Sequence, residues 1–235
     1  MNGDGRPEFG DGIEAQHERI DRSEWDRVYV VGDVHGCREE LEGLLSALDP
    51  TPEDLVVFVG DLVRKGPDSR GVVELVRSSP NMRSVRGNNE EKLLRGEKRL
   101  PGLEKDDLDW IASLPVAISW EGAMVVHAGV DPRKPTAGHT VEDLQNVRSL
   151  APEGGYTGPY WFDEHEGPPR VFFGHTVLEE PIVRPNAAGL DTGCVYGGSL
   201  TAYEPRRDET VRVDAGRAYS ERPDEKFLSP APNSA

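Results

Sequence analysis

Five short apolar runs in this chain each stop at a polar residue able to bind a metal, with a glycine beside it. Arg27-Val-Tyr-Val-Val31 runs into Gly32-Asp-Val-His-Gly36, and Leu55-Val-Val-Phe-Val59 into Gly60-Asp61. Met82 to Val85 leads to Arg86-Gly-Asn-Asn-Glu90, Ala123 to Val126 to His127-Ala-Gly-Val130, and Val171-Phe-Phe173 to Gly174-His-Thr-Val177. Helical periodicity fills the gaps: Leu41, Leu44, Leu45 and Leu48 share one face, and further patterns run through Val72, Val73 and Val76 and through Leu93 and Leu94. Strands alternating with helices predict an α/β chain with a largely parallel sheet. Such sheets bind ligands at the carboxyl ends of their strands, where glycines permit tight turns and close backbone approach. Beyond Leu190, segments to Tyr203 and from Thr210 to Asp214 read as hairpin strands broken by glycine, which suggests a second, mixed sheet.

The donors at these strand ends are carboxylate oxygen, imidazole nitrogen and an Asn carbonyl. That set suits Mn, Fe, Zn or Co rather than a thiolate-seeking metal. Asp33 and His35 lie two residues apart, so in extended backbone both project to the same side and can share one ion. There are enough donors for two ions, and a pair of divalent metals can activate water and clamp a phosphate.

Gly32-Asp-Val-His-Gly36, the segment Gly60 to Ser69, Arg86 to Glu90, His127 to Val130, Gly174 to Val177 and Leu190 to Ala202 resemble, in this order, the calcineurin-like metallophosphoesterases. Within them they resemble the branch of phosphoprotein phosphatases and symmetrical diadenosine tetraphosphatases, over roughly residues 27 to 214. Lys65-Gly-Pro-Asp-Ser69 and Leu190-Asp-Thr-Gly-Cys-Val-Tyr-Gly-Gly198 are closer to the diadenosine tetraphosphatase side. The resemblance implies a β-sandwich of two mixed sheets flanked by helices, in α-β-β-α layers. It implies two divalent metals, manganese first among them. Asp33 and His35 would bind one ion, Asp61 would bridge both, and Asn88, His127 and His175 would complete the second site. Lys65 stands where the family has a phosphate-binding Arg, and a Lys there keeps the charge but loses the bidentate fork. Arg148 resembles the family's second phosphate-gripping Arg. Cys194 and Tyr196 would line the floor of the site, while Arg86 and Arg170 would serve packing or charge balance.

The chain departs from the family at one place. An Asp of the second motif normally orients a His of the third, and the pair serves the leaving group. Here those positions hold Arg64 and Asn89. Asn has no proton to give at a useful pKa. A positioned general acid contributes roughly 10²- to 10⁴-fold. A departing serine alkoxide needs that proton. A nucleotide phosphate, with a second pKa of about 6, does not, and a cation such as Arg64 can stabilise it instead. The expected substrate is therefore a phosphoanhydride: a dinucleoside polyphosphate or polyphosphate. A serine/threonine phosphoprotein is the second reading, and a metal-binding pseudoenzyme that senses nucleotides or phosphoproteins is the third. Two other histidines compete for roles. His139 in the second Gly-His-Thr follows no apolar strand and reads as surface, with Thr140 and Asp143 opening a helix from Val141 to Val147. His165 could reach in to replace the acid, as could His139.

Composition bounds the rest. The 235 residues carry a net charge of −16 and a pI near 4.8, which argues against nucleic acid or an anionic membrane as partner. A bound metal's local charge still allows a phosphate substrate. Self-repulsion of this size fits a salt-adapted cytoplasm. No apolar run reaches the 18 residues or so of a membrane helix. Cys37 and Cys194 have no paired spacing, so no disulfide framework is expected. The Asn2-Gly-Asp4-Gly start lacks the Gly of a calcium loop, having Pro7 instead. Residues 1–24 and 216–235 read as disordered or flexible tails around a catalytic domain of residues 25–215.

Overall fold

A computed structural model describes residues 6–229; the calcium-loop start and the last residues of the expected C-terminal tail lie outside them. Two mixed sheets face each other. The first comprises β2 (Val28–Val31), β3 (Leu55–Phe58), β4 (Met82–Ser84), β10 (Ser199–Glu204) and β11 (Glu209–Asp214), in the order β11-β10-β2-β3-β4. The second holds β1 (His17–Arg19), β5 (Ala117–Trp120), β6 (Ala123–Val126), β7 (Arg170–Phe173), β8 (Ile182–Val183) and β9 (Ala187–Gly189), in the order β1-β5-β6-β7-β9-β8.

The alternation of side chains along each strand builds the layers. Val28, Val30, Leu55 and Val57 point between the sheets and meet Ile118, Val125, Phe172 and Tyr203 there. Tyr29, Val31, Val56 and Phe58 point outward, under α2 (Arg38–Leu48) and α3 (Ser69–Ser78). The far face of the second sheet packs Met124, Val126, Val171 and Phe173 against α7 (Trp161–Glu164) and Leu144 of α6 (Val141–Asn146). Strands buried on both faces explain why these runs are continuously apolar rather than alternating.

Three expectations change. The parallel set divides between the two sheets: β2, β3 and β4 are parallel in the first, while β6, β7 and β9 run parallel in the second. The C-terminal hairpin builds no sheet of its own. It adds to the first, with Ala202 opposite Val31 and Tyr203 opposite Val30, because the inward face of β10 carries the large apolar side chain that the gap beside β2 requires. The segment read as an N-terminal tail is structured from residue 6: Ile13 in α1 (Asp11–Glu14) is buried, and β1 pairs parallel with β5. Beyond residue 216, Leu228 is likewise buried and bridges Leu178. The few apolar anchors in both segments were masked by polar, Gly- and Pro-rich surroundings.

Candidate active site

Turns after β2, β3, β6 and β7 deliver Asp33, His35, Asp61, His127 and His175 to one place, and α4 (Asn88–Leu94) begins there with Asn88 and Asn89. One donor atom each from Asp33, His35 and Asp61 lie within 4.8 Å of one another. His35 Nε2 is 3.8 Å from Asp33 and 3.6 Å from Asp61. His127 Nε2 lies 3.4 Å from the other Asp61 oxygen, and the His127 and His175 rings meet edge to face at 5.1 Å. Five of the six expected ligands thus converge, with Asp61 central between His35 and His127; Asn88 reaches the cluster through its neighbour Asn89.

Backbone strain accompanies the convergence. His35, Asp61, Arg64, Lys65 and His175 all have positive φ, between 51° and 74°. Non-glycine residues in this region cost on the order of 1 kcal/mol each or more, and they persist where surrounding contacts over-determine them. One such contact is Glu90, fully buried, whose carboxylate accepts the backbone N–H groups of Asp61 (2.9 Å), Val63 (3.2 Å) and Gly87 (2.8 Å). Burial, then the neighbouring Asp61 charge, pushes its carboxyl up to about 8. Gly174 is required by a close approach: a Cβ there would sit 1.8 Å from Asp33 Oδ1.

The surroundings of these candidate donors suit metal binding. His127 Nδ1 donates to the Val59 carbonyl at 2.8 Å, leaving Nε2 buried and without a hydrogen-bond partner. A second contact orienting the ring is what a metal-binding imidazole requires. His35 Nδ1 is held by the Val63 carbonyl at 3.2 Å. Burial and then the nearby Lys65 depress the His35 imidazole to about 3, so it is neutral, as a ligand must be. Burial, then Arg148 and His127, likewise hold His175 well below the usual range. Asp33 is pushed up by burial and by the charges of Asp191 and Asp61. Burial opposes the Asp61 charge too, but His127, His35 and Lys65 outweigh it and hold the carboxyl low. Carboxylates crowded together out of water, beside an orphaned imidazole nitrogen, fit divalent cations as their missing partners. The donor set is oxygen and nitrogen throughout, as Mn, Fe, Zn or Co prefers.

The cations stand around this centre. Exposed Lys65 places Nζ 2.8 Å from His35 Nε2 and lies over the Tyr196 ring. Arg148 Nη2 donates to the His175 carbonyl at 3.3 Å, and its guanidinium stacks over Tyr156. Asn89 is buried: its backbone N–H and side-chain amide donate to the two oxygens of Asp61, and its carbonyl accepts from Arg64. Asn88, at the helix start, accepts from Asn89 at 3.0 Å and donates to Asn146 at 3.3 Å.

The structure corrects the reading of the spare histidines. His139 is buried rather than on the surface, because its Nε2 accepts the Asp131 N–H at 2.9 Å. His165 reaches the Pro169 carbonyl at 3.1 Å, and both histidines line a separate cavity of about 370 Å³ that none of the six expected ligands lines. Neither replaces the acid there. Cys37 and Cys194 are free thiols, both buried, and share a cluster with Glu40. Arg86 serves packing, tied to Glu91 and to the Leu114 carbonyl. Sequence reasoning missed two groups. Glu90 was legible only as a capping position three residues after Gly87. Asp191 is buried just past the end of β9, accepts the Gly193 N–H at 3.1 Å and raises Asp33. Its signal was the same strand-end placement before a Gly that marks the other ligands.

A two-sheet sandwich with this cluster at its strand ends defines a metal-dependent hydrolase of phosphate esters or anhydrides. The calcineurin-like phosphoesterase family model matches residues 26–196, and the chain belongs to that family. A symmetrical bis(5'-nucleosyl)-tetraphosphatase of Janthinobacterium sp. (strain Marseille) is 28% identical, over 79% of this chain and 95% of its own. Serine/threonine-protein phosphatase 1 of Salmonella typhimurium is 31% identical, over 80% and 96%. A crystal structure of a presumptive diadenosine tetraphosphatase superposes with a TM-score of 0.75 at 32% identity, covering 85% of this chain and 98% of that one. Among the described residues, no helix is long and apolar enough to cross a membrane.

Proposed function

We propose that this phosphohydrolase cleaves phosphoanhydrides, with dinucleoside polyphosphates as the substrate class and diadenosine tetraphosphate as the type example. The observation that carries this is the Arg64–Asn89–Asp61 chain of hydrogen bonds. It puts a cation and a neutral amide where a proton donor would be needed to expel an alkoxide. A phosphate leaving group needs charge stabilisation more than a proton, and Arg64 is the residue for it. The named tetraphosphatase relatives support the same class.

In this reading Asp33, His35, Asp61, Asn88, His127 and His175 hold two divalent metals, manganese first, which supply Lewis acidity and lower the pKa of bound water. Asp191 lies close enough to tune Asp33. Glu90 fixes the Asp61 turn and Asn89 its carboxylate, and the Val59 and Val63 carbonyls fix the imidazoles. Lys65 and Arg148 grip non-bridging phosphate oxygens. The catalytic domain is residues 25–215, braced by the flanking segments. A cytoplasm of high salt is proposed from the charge of −16; greater thermal stability in low salt than in molar KCl would overturn that.

The relative named as a protein phosphatase favours phosphoserine and phosphothreonine as the second reading. Manganese-loaded protein given diadenosine tetraphosphate and a phosphopeptide in parallel decides the order. Faster anhydride turnover is expected, and faster phosphopeptide turnover reverses it. No phosphate release from either, with two metals bound per chain, would leave the sensing pseudoenzyme.

A further inference from the structure

The segment after β11 returns to the active site. Tyr219 and Ser220 donate their N–H groups to the Val195 carbonyl at 2.9 and 3.1 Å, and Leu228 donates to the Val177 carbonyl at 2.9 Å. Arg222 is suspended between these anchors, outside the residues 26–196 that the family model matches. Its guanidinium donates to the Tyr156 hydroxyl at 3.0 Å and to the Tyr196 hydroxyl at 3.4 Å. Its other hydrogen bonds go to the Lys226 carbonyl. All of these partners are neutral.

Arg222 thereby closes an arc. Tyr196 carries Lys65 at 5.3 Å and Arg222 at 5.1 Å; Tyr156 carries Arg148 at 4.3 Å, Arg222 at 5.4 Å and Lys226 at 5.9 Å. One end of the arc is hydrogen-bonded to His35 through Lys65, and the other to the His175 carbonyl through Arg148. Four cations share two rings in a protein whose net charge is −16. Crowding like charges is unfavourable; the buried carboxylate of Asp191, whose charge Lys65 and Arg222 favour, offsets only part of it, and the Nε of Arg148 is buried with no partner. Both rings lie under cations, so the arc offers phosphate contacts rather than faces for stacking a base.

We infer that Arg222 is a specificity-determining residue that binds a phosphate of the substrate's polyphosphate chain beyond the one attacked. This rests on the phosphohydrolase reading above and adds what separates a polyphosphate from a monophosphate. Lys65 and Arg148 suffice for the phosphate at the metals. Arg222, one ring further out from each, meets the next in the chain, and its planar fork suits two oxygens at once.

Calorimetric titration of manganese-loaded protein with inorganic tripolyphosphate and with orthophosphate, at fixed excess free Mn(II), tests it. Arg222→Gln is expected to weaken tripolyphosphate about tenfold, the loss typical of a charged hydrogen bond, and to change orthophosphate less than about twofold. Arg222→Lys, which keeps the charge and loses the fork, should weaken tripolyphosphate about threefold, and it decides the matter if the Gln variant does not fold. Equal weakening of both anions, or of neither, overturns the inference. A wild-type protein that binds tripolyphosphate through Arg222 yet turns over only monoesters would overturn the anhydride reading and leave the arc standing.

Discussion

Asn89 holds both oxygens of Asp61, one through its backbone N–H at 2.8 Å and the other through its side-chain amide. The residue in the place of the family's acid has become a clamp on the central carboxylate. A His introduced alone would face Arg64 rather than an Asp, and a neighbouring cation keeps an imidazole neutral. Asn89→His alone should therefore raise phosphomonoester turnover less than about tenfold, against the range a general acid can supply. Arg64→Asp combined with Asn89→His should raise it about 100-fold and change anhydride turnover little. Steady-state kinetics on a phosphopeptide and diadenosine tetraphosphate check both. A pair that speeds the anhydride as strongly as the peptide refutes the leaving-group account.

Glu90 serves three backbone donors in a fully buried place. Truncation to Ala strands all three, and each buried unsatisfied donor costs about 1–3 kcal/mol. Glu90→Ala should lose at least about 3 kcal/mol in chemical denaturation and bind fewer than two metals per chain. An unchanged metal count by elemental analysis would show that the Asp61 turn needs no such support.

The contact at Gly174 gives a sharper test of the metal centre. Gly174→Ala places a methyl 1.8 Å from Asp33 Oδ1, which forces the carboxylate or the His175 turn to move. Adding manganese to chelator-treated wild type should raise its thermal midpoint, because a ligand at 100 times its Kd stabilises by about 2.7 kcal/mol. The Ala variant should fold and show little of that rise. An equal rise would mean that Asp33 is not a ligand.

Away from the site, Asp54 carries a readable pH dependence. Burial opposes its charge, but bonds from Arg27 and from Thr51 outweigh it and hold the carboxyl below the usual range. A depressed folded pKa gives stability that is present above the unfolded value, near 3.9, and is lost as pH falls through the folded one. Asp54→Asn should cost about 2 kcal/mol at pH 7, and the gap from wild type should narrow below about pH 4. Thermal midpoints across that range check it; a constant gap removes the charge from the explanation.

What the sequence brought to the site was a set of candidate donors. Asp33, His35, Asp61, Asn88, His127 and His175 each follow an apolar run, and strand ends are where this architecture gathers ligands. It also showed the absent acid, since residue identity alone excludes Asn89. It could not show that Asn89 clamps Asp61 or that Arg64 turns toward it, because both depend on positive-φ backbone that non-glycine residues adopt only under tertiary constraint. The sheet arrangement was half legible. Periodicity marks a strand but not its partner, so the hairpin of β10 and β11 was assigned to the wrong sheet. The terminal segments failed for a related reason. Ile13, Arg222 and Leu228 are isolated anchors with no period, and only the finished surface reveals what they dock on.

The pairing of β1 with β5 has a consequence for solution behaviour. Ile20 and Gln16 extend it, with Ile20 N–H to the Ser119 carbonyl and Val116 N–H to the Gln16 carbonyl. Without residues 1–20, β5 becomes a bare margin: Ala117 to Trp120 are all buried in the intact chain, and their backbone groups would face water or another molecule. Such a margin templates self-association. A chain shortened by these residues should still collect metal, yet scatter light and elute progressively earlier than the intact chain in gel filtration as its concentration rises. The opening strand, outside every catalytic motif, would then be what keeps one molecule from adding to the next.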